Sequence, residues 1–124
     1  MGDVYENIFR RAEAVSCRAV NAFFAKEDGR GAVVTPSVLY AGKKNVPLPV
    51  AAARHFTFHL LHDRYGLPYR VIARHAGMNV TSVMKKTAKV RDYIISDYMY
   101  SAINDIVGEI IPTRCRDKGD DEGA

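Results

Sequence analysis

The sequence predicts an all-α fold: a helical bundle that contains a helix-turn-helix and carries an amphipathic helix at its N-terminal end. Three observations predict it. Apolar residues recur at three- and four-residue spacing in four separate stretches, the signature of helices with one buried face. Tyr69–Lys89 has the internal spacing of two crossing helices joined by a tight turn. Residues 43–91 hold ten basic side chains against a single acidic one, Asp63, although the net charge of the chain is only +4. A segment so unbalanced is what a polyanion-binding surface needs.

The first helix is read from Tyr5, Ile8, Phe9, Ala12, Val15, Ala19 and Phe23, with Arg10, Arg11, Glu13 and Arg18 between them. The spacing predicts about twenty helical residues, capped by Asp3 and ended at the glycines of Glu27–Gly31. Its outer face carries both signs of charge, so its expected role is core contact or contact in a homodimer. Residues 31–46 are the least legible. Thr35-Pro36 predicts one or two helical turns, Thr as cap and Pro at the first position, while Val33-Val34 fits an extended segment equally well. Gly42-Lys43-Lys44-Asn45 reads as an exposed basic loop.

Pro49 opens the next helix, which is expected to run to Tyr65 with Ala53, Phe56, Leu60 and Leu61 inward and Gly66 as its stop. His55, His59 and His62 lie along one side of it. Two histidines four apart can share a metal ion. One straight helix cannot wrap three imidazoles round an ion, however, and no Cys or Glu partner lies nearby. Polar or phosphate-facing histidines are expected instead, with no metal and no cofactor. Leu67-Pro68 starts a short helix to His75. Asn79 to Ile95 and Asp97 to Ile111 form the last two, the final one capped by Ser96 or Asp97 and showing Met99, Ile103, Ile106 and Ile110 on one face. Pro112 ends it, and the polar residues beyond are expected to be a disordered tail. The expected division is 1–48 for the N-terminal helix and connection, 49–111 for a DNA-binding domain, and 112–124 for the tail.

Several function classes are excluded. There are no paired carboxylates, no Ser or Cys beside a matching His, and no GxxxxGK[ST] phosphate loop, so an enzyme is not expected. No apolar run approaches the ~20 residues of a membrane span. The two cysteines, Cys17 and Cys115, make no metal-type spacing and suit a reduced, intracellular setting, so the expected location of a DNA-binding chain is cytoplasmic and nucleoid-associated.

Two crossing helices need a small residue in the first, a turn residue tolerant of positive φ, and an aliphatic residue in the second. Ala73, Gly77 and Val83 meet these needs at positions five, nine and fifteen of the stretch. In the second helix Val83, Thr87, Val90 and Ile94 face inward. Asn79, Val80, Thr81 and Ser82 then form the turn that meets base edges of double-stranded DNA, where Asn can bridge adenine and Thr or Val can pack a thymine methyl. Asn79 can equally serve as the helix cap. Lys85, Lys86 and Lys89 follow at phosphate-contacting positions, joined by Lys43, Lys44, Arg54 and Arg70. A second class of reading is a helical interaction module that docks a partner through residues 5–23 and keeps the helix pair as scaffold.

From Pro49 to Ile111 the sequence resembles the C-terminal DNA-binding domain of the bacterial chromosomal replication initiator DnaA. The resemblance rests on Arg54, followed by His55 where the family usually has Gln. It continues through Thr81-Ser82-Val83 where the family has Thr-Thr-Val, Lys89-Val90 where it has Lys-Ile, and an acidic last helix. It implies a Trp-repressor-like helical fold, binding to a short box in duplex DNA, and phosphate contacts by Arg54 and Thr81, in a stand-alone relative without the ATPase. The family's turn, Gly-Gly-Arg-Asp-His-Thr-Thr-Val, is not kept. Ala76-Gly77-Met78-Asn79-Val80 precedes Thr81 here, and the base-reading Asp-His pair is gone.

Overall fold

A computed structural model describes residues 3–28, 33–42 and 46–111. They form five helices: α1 (Asp3–Asp28), α2 (Leu48–His59), α3 (Tyr69–Ala76), α4 (Val80–Ser96) and α5 (Tyr98–Ile110). No strand occurs among them, as the apolar spacing predicts. Lys43, Lys44 and the tail 112–124 lie outside the described residues. No helix is long and apolar enough to cross a membrane among those described.

α1 is longer than expected and runs through Glu27 and Asp28 before the glycines. It lies across α2 and α5, while α4 packs on the same two helices from elsewhere and α3 packs on α4. Phe9, Ala12, Val15, Ala19, Val20 and Phe23 are all buried in this arrangement. The apolar stripe of α1 is therefore used inside its own chain. Tyr5, at 44% exposed, is the exception. A single cluster of buried side chains draws on α1, on Val34 and Leu39, and on α2 to α5. The boundary expected near residue 48 does not separate two cores, because α1 alone has nothing else to bury its stripe against.

The connection after α1 is tied to it by polar contacts rather than by helix. Asn21 donates from Nδ2 to the Val34 carbonyl at 3.0 Å and accepts from the Val34 amide at 2.8 Å. Thr35-Pro36 starts only a single 3₁₀ turn, Pro36–Val38, and the Thr35 hydroxyl pairs with Ser37 instead of capping it. Glu13 is buried on α1, and two donors meet it: Tyr40 hydroxyl at 2.7 Å and His75 Nε2 at 2.8 Å. The His75 ring lies flat on Phe9 with centroids 3.8 Å apart. A buried carboxylate is tolerable only when hydrogen-bonded, and here its partners clamp α1 to the end of α3. Burial and the Glu13 contact push the Tyr40 pKa well above its ordinary value, so the phenol keeps the proton it donates.

α2 does not stop at His59. It widens into a π turn over Leu60–Arg64, with the Tyr65 amide bonding the Leu60 carbonyl at 3.0 Å, and ends at Gly66 with φ +71°. Asp97, rather than Ser96, caps α5 by accepting from the Tyr100 amide at 3.2 Å. Ile103 is fully buried there, with Met99, Ile106 and Ile110 packed against the core.

Candidate nucleic-acid interface

The candidate surface is built on α3 and α4. Ile72, Ala73 and Ala76 form the buried face of α3. Gly77 closes the helix in the left-handed region at φ +68°. Its amide bonds the Arg74 carbonyl at 3.3 Å and the Met78 amide bonds the Ala73 carbonyl at 3.0 Å, which satisfies carbonyls the helix end leaves open. Ala73 is small enough for the helices to cross closely, and Val83 is fully buried on the other side.

α4 begins at a real cap. The Asn79 side chain accepts from the Ser82 amide at 3.2 Å. Of the two roles open to Asn79, the structure realises the helix cap, and its Oδ1 is engaged there. Val83, Thr87 and Val90 are fully buried, Thr87 by returning its hydroxyl to the Val83 carbonyl at 2.9 Å, and Ile94 packs partly buried behind them. That fixes the rotation of the helix. Thr81, Lys85 and Lys89 are exposed, Ser82 and Lys86 are half-buried, and Val80 is 37% exposed. Arg70 is exposed on α3, as is Arg74. Among the described residues, none of Arg70, Arg74, Lys85, Lys86 or Lys89 has a carboxylate partner.

Arg54 does not belong to this surface. It is 2% exposed, with Nε donating to the Leu39 carbonyl at 2.6 Å and Nη2 to the carbonyls of Ala41 and Gly42 at 3.1 Å each. The guanidinium holds the 39–42 segment against α2 and is not available to a phosphate. Burial lowers its pKa, with the Tyr40 neighbour acting in the other direction. Arg91 is also engaged. It grips Asp63 with two hydrogen bonds, Nε to Oδ2 at 3.0 Å and Nη2 to Oδ1 at 2.7 Å. That contact holds the Asp63 carboxyl below its usual range and raises the Arg91 pKa. The excess charge of residues 43–91 is thus narrower in space than in sequence.

The three histidines of α2 and its π turn lie in separate surroundings. His55 Nδ1 lies 3.1 Å from the Tyr100 hydroxyl, and His62 Nδ1 donates to the Leu67 carbonyl at 3.0 Å. His59 Nδ1 is 3.3 Å from Asp63 Oδ2 without hydrogen-bond alignment. Among the described residues no three His, Cys, Asp or Glu converge as metal ligands. His55 does report on the basic surface. Burial, then Lys86, Lys89 and Arg54, push its pKa down to about 4.

Two exposed residues escape a reading centred on polar chemistry. Met84 is 46% exposed and Ala88 is exposed, both on the outer half of α4. The signal for them was their spacing from Val80, four and eight residues on, which puts all three along one line of the helix. The class defined by this arrangement is an all-α chain with a basic, short-turn helix pair on its surface. No protein-family model, curated protein or solved structure matches the chain.

Proposed function

We propose that the protein binds double-stranded DNA, presenting the N-terminal half of α4 to the major groove with α3 as its brace. One observation carries this reading: among the described residues, five cations on α3 and α4 lack carboxylate partners, beside a first turn of α4 that contains no acidic side chain. An isolated cationic surface gains by releasing the counterions condensed on a duplex. The Thr81 hydroxyl and the amides of Val80 and Thr81, ahead of the capped Ser82 amide, suit one phosphate at the positive end of the helix. Lys85, Lys86, Lys89, Arg70 and Arg74 reach others. Nucleoid association and a regulatory role in transcription or replication, on a chromosome or a mobile element, follow as part of the same proposal. Kinship with the initiator domain is supported by Thr81-Ser82-Val83 on α4, and is weakened by the burial of Arg54.

The docking-module alternative has no comparable support, since the stripe of α1 that would bind a partner is already covered. The test is a titration of a labelled mixed-sequence duplex with the full chain. Five phosphate contacts imply a loss of roughly 500-fold in affinity between about 50 and about 200 mM salt. Absence of a complex at the lower salt rejects the proposal.

A further inference from the structure

We propose that α4 reads duplex DNA through the 5-methyl groups of thymine, using Val80, Thr81, Met84 and Ala88. This deepens the DNA-binding proposal and rests on it. The argument starts from which side chains remain free. A base is discriminated in the major groove by planar donor–acceptor forks or by apolar contact with the thymine methyl. The forks on α4 and on the helix behind it are engaged: Asn79 caps α4, Arg54 is buried, and Arg91 holds Asp63, so the exposed forks are Arg70 and Arg74 on the bracing helix α3. The outer side of the first three turns of α4 instead shows an unbroken strip of methyl-bearing groups.

Val80, Met84 and Ala88 are spaced four apart and Thr81 lies beside them. All four are exposed, Val80 at 37% and Met84 at 46%. Lys85 and Lys89 each follow a strip residue by one position, so they border the strip on its solvent side. The charge complementarity selects the occupant. An apolar strip lined by lysines that have no carboxylate partner among the described residues fits a groove whose floor carries methyls and whose walls carry phosphates. Ala88 matters by being small, because it lets the third turn approach the bases without a side chain intervening.

The probes are alternating dA–dT and dA–dU duplexes of equal length, which differ only in the thymine methyl, and an alternating dG–dC duplex. Each buried methyl contributes about a fourfold preference, so two contacts predict about fifteenfold tighter binding of the dT duplex over dU. Met84→Ala and Val80→Ala together should shrink that ratio toward one by lowering dT affinity more than dU affinity, and the salt slope, which counts phosphate contacts, should keep its value. Both sites are exposed, and a thermal melt confirms that the variant is folded. Equal binding of dT and dU duplexes overturns the inference while the DNA-binding proposal stands. So does a preference for dG–dC, which would transfer base reading to Lys85, Arg70 or Arg74, or an unchanged dT/dU ratio in the double variant. Failure to bind any duplex at low salt removes both proposals together.

Discussion

Arg54 donates from Nε to the carbonyl of Leu39 at 2.6 Å, from a side chain only 2% exposed. An arginine that the sequence places among DNA contacts is a structural tie between α2 and the segment before it. Arg54→Ala would leave the carbonyls of Leu39, Ala41 and Gly42 without this donor, at a cost of about 3 kcal/mol. The melting temperature should fall by roughly 10 °C or more. Arg54→Lys keeps the charge but not the fork, and should recover only part of the loss. Duplex affinity of the folded protein should barely change. A variant with normal melting and lost DNA affinity would return Arg54 to the interface.

Lys85→Glu combined with Lys86→Glu removes two of the unpaired cations and adds repulsion at the same place. Affinity for a mixed duplex should drop by about a hundredfold or more at low salt, and the salt dependence should become shallower. Stability should stay within about 0.5 kcal/mol, because surface charges without partners contribute little to folding. Anisotropy and thermal melting, run on the same preparation, separate the two effects.

Gly77 sits at φ +68°, and a Cβ there would meet nothing within 4 Å. The penalty of Gly77→Ala is therefore purely one of backbone conformation, about 1–2 kcal/mol by denaturant unfolding. Gly77→Asn should cost less, since Asn tolerates the left-handed region. If Ala proves neutral, the turn between α3 and α4 is not held in this conformation in solution.

His55 gives the protein a predictable response to acid. Its folded pKa, about 4, lies below the ordinary histidine value of 6.5. His59 is shifted the same way by burial. In the window between those values the unfolded chain binds more protons, so stability falls as pH falls. For His55 alone the loss from pH 6.5 to about 4 is roughly 2–3 kcal/mol. His55→Gln should flatten the slope between about pH 6.5 and 5, where most carboxylates are still ionised. Unfolding curves at several pH values test this, and a stability that holds steady or rises on acidification through the window contradicts it.

Much of the helix pair was legible because its determinants are local. Ala73, Gly77 and Val83 are spaced by the geometry of the helix itself, and the inward face of α4 follows from Val83, Thr87 and Val90 alone. Arg54 was misplaced for the opposite reason. Nothing near it in sequence announces the carbonyls of residues 39–42 as its partners, and an arginine in a basic segment reads as exposed. The pairing of Arg91 with Asp63, 28 residues apart, was equally invisible, as was the clamp of Glu13 on His75, 62 residues apart.

The sequence by itself determined that this chain is helical, where α3, α4 and α5 lie to within a residue or two, and that positive charge concentrates on the helix pair. These follow from periodicity, caps and composition, which act over a few residues. Only the tertiary structure decided which cations remain free, what α1 covers, and whether Asn79 caps or reads. Those depend on which polar groups from distant segments meet once the apolar faces are buried together, and a buried donor or acceptor takes whatever partner the packing brings within reach.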